Sequence, residues 1–352
     1  MVVVLGADVH KRTHTVVAVD AVGVKRGERV VPATDAGHDA LLRWARRTFG
    51  DGDRVWAVED CRHLTARLER CLLAAGERVV RVPPKLMAGT RRSVRTPGKS
   101  DPIDALAVAR TALREPDLPV ASHDAVSREL KLLVDHREAL VADRTRKANR
   151  FRWHLHELAP ELDPAPAALN RAVVRRELAA WLGSQPGLVA ELAGELLAGI
   201  GVLTARISEL EKRITVAVQA AAPRLLHVPG CGPLTAAKIV GETAGAGRFR
   251  SEACFAMTAG VAPIPVWSGN TAGRMRLNRG GNRQLNTALH RIAVTQVRLG
   301  GQGRAYYDKR RAAGDTTTEA YRALKRRLAR TVYNTLRTPG QTATEESLPA
   351  AA

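Results

Sequence analysis

The first 84 residues alternate between short apolar runs and polar turns. "VVVLGADVH" and "THTVVAVDA" are nearly continuous in apolar residues, and "KRGERVVPA" alternates more. Runs of this kind fit buried strands, and short polar turns between them fit an antiparallel meander. "DAGHDALLRWARRTFG" then takes up the helical period and ends on a glycine, a common helix terminator. A strand "DRVWAVEDC", a helix "HLTARLERCLLAAG" and a strand "ERVVRVPP" follow. The next helix opens in "KSDPIDALAVAR". Ser100 fits its N-cap, Pro102 its first turn, and Asp101 and Asp104 the positive end of its dipole.

The predicted order is βββαβαβ and a helix, which builds a mixed five-stranded α/β sheet with helices packed on it. It is the order of the ribonuclease H fold. Beyond it the chain is mainly helical. A charged stretch from about 124 to 158 places Leu130, Leu133, Val134, Leu140, Val141 and Leu155 near a heptad-like stripe. After the proline-rich "APELDPAP", a second long helical stretch runs from about 187 to 221. Two such helices, antiparallel, make either a coiled-coil arm suited to dimerisation or a plain spacer. At 226–243, "LHVPGCGPLTAAKIVGET" has the Gly-x-Gly turn of a helix-hairpin-helix, with Gly230, Gly232, Thr235 and Lys238 as candidate phosphate contacts. The implied domains are 1–120 (ribonuclease-H-like), 121–222 (helical arm), 223–340 (helical C-terminal domain) and a disordered tail, 341–352.

Composition sharpens the partner. The 352 residues carry 55 Lys and Arg against 35 Asp and Glu, a net charge of +20, with 45% hydrophobic residues. The chain can bury sizeable cores, and its excess positive charge makes a nucleic acid the natural partner, ahead of an acidic membrane surface. Residues 264–340 are the most basic, with 16 Arg and Lys against three acids. Within them Arg274, Arg276, Arg279 and Arg283 sit in the glycine-broken "GRMRLNRGGNRQL", a density that favours contact with a nucleic-acid backbone over a merely solvated face. Cys61, Cys71, Cys231 and Cys254 show neither CxxC nor zinc-ligand spacing. The opening "MVVVLGADV" lacks a signal-peptide pattern, and no run approaches the roughly 18 apolar residues of a membrane span. A cytoplasmic protein with no membrane partner is expected.

Four acids bear on chemistry. Asp8 ends the first predicted strand and Glu59 the fourth, strands that neighbour each other in the inferred sheet, while Asp101 and Asp104 open the helix after it. Singly these acids read as a turn residue, a surface acid and a cap. Together they would repel strongly unless divalent cations neutralised them. Hard oxygen ligands holding two Mg²⁺ (or Mn²⁺) ions about 4 Å apart are the design of a two-metal phosphoryl-transfer site.

On these residues the chain resembles the DEDD transposases of bacterial insertion sequences. "GADVHK" with Asp8, "WAVED" with Glu59 and "KSDPIDA" with Asp101 and Asp104 match the tetrad of a RuvC-like N-terminal domain. "PGCGPLTAAKIVGE", "FAMTAGVAPIP" and "LNRGGNRQLNTALH" match the C-terminal transposase domain. The resemblance implies a recombinase that excises and inserts its element through a circular intermediate. It implies double-stranded donor and target DNA, a structured non-coding bridge RNA that pairs with both, and a homo-oligomer, dimer or tetramer. It also implies a serine nucleophile. Family members often carry two serines before the glycine of "PVWSGNTAG"; here the first is Trp267, so the resemblance points to Ser268. Two other functions use parts of the same pattern. A Holliday-junction resolvase-like metal nuclease needs the acids and no serine, and an inactive relative binds nucleic acid without metal.

Overall fold

Three strands, β1 (Val3–Val9), β2 (Thr13–Val19) and β3 (Lys25–Pro32), open the computed structural model as an antiparallel meander. The structure describes residues 2–50, 52–59, 64–83, 86–87, 100–115, 118–122, 124–269, 275–278 and 280–337. The expected disordered tail, Cys61, Arg274 and Arg279 lie outside the described residues. Helix α1 (Asp35–Phe49) follows β3; the Thr34 side chain caps it by accepting from the Gly37 N–H, and Gly50, at φ 68°, ends it. Strand β4 (Arg54–Glu59), helix α2 (Ala66–Ala74), strand β5 (Arg78–Val82) and helix α3 (Asp101–Arg114) complete the first part. The element order is the one the hydrophobic pattern predicts.

The sheet order is β3-β2-β1-β4-β5, with β4 parallel to both β1 and β5. Alternation along the strands divides two cores. Val3, Leu5 and Ala7 of β1 join Trp56 and Val58 of β4 against Leu41 of α1 and Leu68 and Leu72 of α2. On the other face Val4, Val17, Ala57 and Val80 pack against Ala105, Val108 and Ala109 of α3. Strand β3 is exposed along most of its length and carries Lys25, Arg26, Glu28 and Arg29, the charged dress of a protected sheet edge.

The chain forms two compact units, 1–124 with 244–352, and 125–243. The second is built on two helices of 34 residues each, α4 (Ala125–Leu158) and α6 (Leu188–Ala221), with α5 (Ala172–Gly183) between them in sequence. Arg137 pairs with Glu211, and Arg144 reaches Thr204. Contacts that advance along α4 thus retreat along α6, so the helices are antiparallel. Phe151 and Leu155 of α4 and Leu197 and Ile200 of α6 fill the core at one end of the pair. Helix α6 contains an 18-residue window of mean hydropathy 1.7, by length and composition enough to cross a membrane. The expectation that no stretch approaches a membrane span thus does not hold by length and composition, although Glu191 and Glu195 interrupt the apolar residues. Its buried residues, among them Ala193, Leu197, Ile200, Ile207, Leu210 and Ile214, recur every three or four positions, the stripe of a helix packed on neighbours.

The "VPGCG" segment lies between a one-turn helix, α7 (Pro223–Leu226), which directly follows α6, and α8 (Pro233–Thr243). Cys231 N–H donates to the Val228 carbonyl at 2.9 Å, with Pro229 and Gly230, at φ 82°, in the middle. This is a turn that needs glycine at its third position. Helix α8 packs on α4 and α6 and belongs to the helical unit. A Cβ on Gly241 would lie 2.9 Å from the Lys131 backbone, so the glycine lets α8 and α4 approach closely.

In the remainder of the first unit, α9 (Glu252–Thr258) precedes the hairpin β6 (Pro263–Pro265) and β7 (Met275–Leu277). Helices α10 (Arg283–Leu299), α11 (Gln302–Ala312) and α12 (Thr317–Arg337) follow, and α12 packs on α9, α10 and α11.

Candidate metal centre and nucleic-acid interface

The candidate centre begins with a glycine. Even-numbered residues of β1 face α3, and at Gly6 the helix backbone comes so near that a Cβ would lie 2.3 Å from the Ala105 carbonyl oxygen. Two residues on, the same face carries Asp8. Ala7 pairs with Val58 in the parallel register of β1 and β4, so Asp8 and Glu59 each follow that pair by one residue. Ala57 belongs to the core under α3, and alternation puts Glu59 on that side too.

Helix α3 supplies the other two acids from its first turn. Ser100 occupies the N-cap in extended backbone, as expected, but its side chain makes no cap bond; its carbonyl accepts from the Asp104 N–H at 3.0 Å. Asp8 and Asp104 are buried, Glu59 half-buried and Asp101 exposed. Burial pushes the Asp8 carboxyl above its ordinary range; His10 opposes that shift, while the charges of Asp104 and Asp101 reinforce it. Both first-turn acids therefore act on Asp8 through space, as a carboxylate cluster must.

A residue that sequence reasoning passed over completes the cluster. His10 Nε2 lies 3.1 Å from Asp8 Oδ2 and 3.3 Å from Asp101 Oδ1. One ligand atom from each of these three side chains lies within 4.8 Å of the others. The donor set fits a divalent cation: carboxylate oxygens suit Mg²⁺ and Mn²⁺, and a neutral imidazole is a common metal ligand. The only sequence signal for His10 was its place two residues after Asp8, in the turn between β1 and β2.

The expected nucleic-acid contacts differ in exposure. Arg276 on β7 and Arg283 at the start of α10 are exposed. Gly230 is half-buried and Gly232 exposed. Thr235 and Lys238 are buried, and Lys238 Nζ pairs with Glu138 Oε1 of α4 at 2.5 Å. Lys238 thus directs its charge inside the helical unit, to an acid a hundred residues away in the chain. Cys231 is buried, which drives its thiol up to about 12 and leaves it inert as a nucleophile. Ser268 is exposed on the coil after β6, followed by Gly269 at φ 47°.

The asparagines of "LNRGGNRQLNTALH" hold the segments around that coil. Asn278 donates to the Met257 carbonyl at 3.1 Å, and Asn286 donates to the carbonyls of Ala259 and Gly260 at 3.1 and 3.0 Å. The Asn282 side chain caps α10 by accepting from the Gln284 and Leu285 N–H groups. Lys325 of α12, buried, donates to Asn286 Oδ1 at 2.9 Å. Farther along α12, Arg326 and Arg330 grip Glu252, whose carboxyl falls to about 2. Tyr306, Arg326, Arg327 and Arg330 line a cleft of about 540 Å³.

With Asp8, Asp101 and Asp104 located around His10 and the basic segment described, comparison with known proteins decides the family. The model DEDD_Tnp_IS110, described as Transposase, matches residues 5–160, and a model described as Transposase IS116/IS110/IS902 family matches residues 222–308. The chain is 30% identical to the 42 kDa protein of insertion element IS900 from Mycobacterium paratuberculosis, over 82% of this chain and 84% of the relative. The chain belongs to the IS116/IS110/IS902 transposase family. The transposase is also 29% identical to the 44.8 kDa protein of IS116 from Streptomyces clavuligerus, over 95% and 94% of the two chains. It is 26% identical to the 43.6 kDa protein of IS110 from Streptomyces coelicolor, over the same shares. All four acids fall within the first matched region. The matched C-terminal region contains Ser268 and the asparagine-rich segment.

Proposed function

We propose that this transposase is a divalent-metal-dependent DNA recombinase whose RuvC-like domain holds Mg²⁺ or Mn²⁺ on Asp8, Glu59, Asp101 and Asp104. The observation that carries the reading is the gathering of Asp8, Asp101 and Asp104, with a half-buried Glu59 one strand away, at the end of a sheet ordered 3-2-1-4-5. Asp8 and Glu59 are rigid strand-end ligands, and Asp101 and Asp104 are carried on one helical turn. When bound, divalent ions supply positive charge for the phosphoryl transition state.

Ser268 acts as nucleophile. Its oxygen attacks the phosphorus as its hydroxyl proton leaves, and the phosphorus–oxygen bond to the departing deoxyribose breaks, that oxygen taking a proton. Arg276, with Arg274 and Arg279, offsets negative charge on the phosphoryl oxygens. The exposed basic residues of 264–340 track donor and target backbones, and sequence choice falls to a structured guide RNA that pairs with both. A homo-oligomer joins the two kinds of site.

The test is strand cleavage and exchange on labelled donor and target DNA by purified protein with its bound nucleic acid retained. Asp8→Asn and Asp104→Asn should abolish cleavage while DNA binding persists; cleavage at the wild-type rate removes the tetrad. Sequencing the co-purified nucleic acid should return one structured RNA. Recombination by RNase-treated, RNA-free protein removes the guide.

A further inference from the structure

The imidazole of His10 stands between two carboxylates that reach it from different elements. Asp8 arrives from the end of β1 and Asp101 from the first turn of α3, at 3.1 and 3.3 Å from the same nitrogen, Nε2. The turn that carries His10 is tied back to the sheet, since the His10 backbone N–H donates to the Thr13 carbonyl at 3.0 Å. We propose that His10 is a ligand of the divalent-ion site, giving it a mixed nitrogen and oxygen donor set that favours Mn²⁺ over Mg²⁺. The proposal rests on the reading of Asp8 and Asp101 as metal ligands and adds to it the identity of a nitrogen donor.

The geometry suits one shared ion. Two adjacent ligands on an octahedral ion with bonds of about 2.1 Å lie about 3 Å apart, close to both separations from Nε2. Asp8, His10 and Asp101, whose ligand atoms lie within 4.8 Å of one another, would together hold such an ion. Ligation needs the Nε2 lone pair, so the ring proton sits on Nδ1. The His10 side chain is 49% exposed, which leaves an entry path for an ion and room for water in its remaining positions. Mg²⁺ takes oxygen ligands and keeps its waters, whereas Mn²⁺, although it too favours oxygen and is the weakest binder of the first-row transition series, is a transition ion that gains more than Mg²⁺ from a nitrogen donor. Replacing one oxygen corner by nitrogen shifts the balance toward Mn²⁺.

The experiment is pulsed electron paramagnetic resonance on full-length protein loaded with Mn²⁺ alone, beside Mn²⁺ and Mg²⁺ binding titrations. Wild type should show the ¹⁴N modulation of a directly bound imidazole. His10→Gln, on a half-exposed turn, should keep its circular dichroism and still bind Mn²⁺ without that modulation. Its affinity should fall at least the roughly tenfold that even an outer-shell partner contributes, with a smaller Mn²⁺/Mg²⁺ preference. Asp8→Asn should lose the modulation as well. Mn²⁺ bound by wild type with no ¹⁴N modulation, or modulation that survives in His10→Gln, removes His10 from the site and leaves the carboxylate reading standing. Wild-type Mn²⁺ affinity unchanged by Asp8→Asn removes the carboxylate site and His10 with it.

Discussion

Gly6 of β1 and Ala105 of α3 touch backbone to backbone: a Cβ on Gly6 would meet the Ala105 carbonyl oxygen at 2.3 Å and the Ala109 nitrogen at the same distance. This contact seats α3 on the sheet and brings the first turn of the helix to Asp8. Gly6→Ala must therefore lift the helix. Overpacking of this kind costs about 1–3 kcal/mol, and the displaced Asp101 and Asp104 should cost most of the cleavage activity. Denaturant midpoints and cleavage rates check both parts. Unchanged values mean that α3 does not depend on this contact.

The carboxylate cluster should cost stability until a cation relieves it. The folded-state pKa of Asp8 is raised, mainly by burial, so the native chain binds that proton more tightly than the unfolded chain. The penalty is absent below the unfolded value of 3.8 and grows as pH rises through the folded pKa. At neutral pH without divalent ions, Asp8→Asn should melt higher than wild type. Added Mn²⁺ should raise the melting temperature of wild type with the logarithm of the ligand excess and leave Asp8→Asn nearly unmoved. A variant that melts lower in chelator and responds fully to Mn²⁺ places the strain and the ion elsewhere.

A second buried pair should govern stability in acid. His14 of β2 and His38 of α1 stack with ring centroids 5.2 Å apart and share a 3.1 Å contact between their Nε2 atoms, and both Nδ1 atoms are buried. Burial, then the neighbouring His38, brings His14 down to about 4, with His10 and Arg67 acting in the same direction. Burial also lowers His38, which Asp35 and Asp39 partly offset. A depressed histidine is neutral when folded and takes a proton when unfolded, so stability falls as pH drops from about 6.5 to about 4. The loss across that window should be on the order of 2–3 kcal/mol. His14→Leu should flatten it, measured by denaturation at pH 7.0, 5.5 and 4.5; an equal slope in the variant assigns acid sensitivity to other groups.

The sheet and the acids were legible for a local reason. Strands buried on both faces read as apolar runs, and Asp8 and Glu59 stand where those runs stop. The antiparallel arm was legible from its length and spacing. What escaped was set by contacts distant in sequence. Lys238 reads as a free cation until Glu138, a hundred residues earlier, is placed beside it. His10 reads as a turn residue until Asp101 arrives from another element. The "LNRGGNRQLN" segment reads as arginines facing phosphate, yet Asn278, Asn282 and Asn286 hold backbone in place, and the cation that steadies Asn286 is Lys325 on α12.

That asparagine network bears on the proposed nucleophile. Asn278 and Asn286 fasten the chain on one side of the β6–β7 hairpin to the end of α9 on the other, and Ser268 stands on the exposed coil leaving β6. A serine oxygen must be held close to the phosphorus, and misplacement by about 1 Å can cost a hundredfold. Ser268→Ala changes one exposed residue of the coil, so its stability should stay within about 0.5 kcal/mol of wild type and its DNA binding should be unchanged. On a denaturing gel with metal and labelled target DNA, wild type should give a covalent protein–DNA species and Ser268→Ala none. Lys325→Met separates chemistry from positioning: it keeps the hydroxyl but withdraws the donor to Asn286, so the adduct should form more slowly and still form at Ser268 by peptide mapping. An adduct that persists in Ser268→Ala moves the nucleophile to another residue. A Lys325→Met protein that forms the adduct at the wild-type rate shows that the network does not position it.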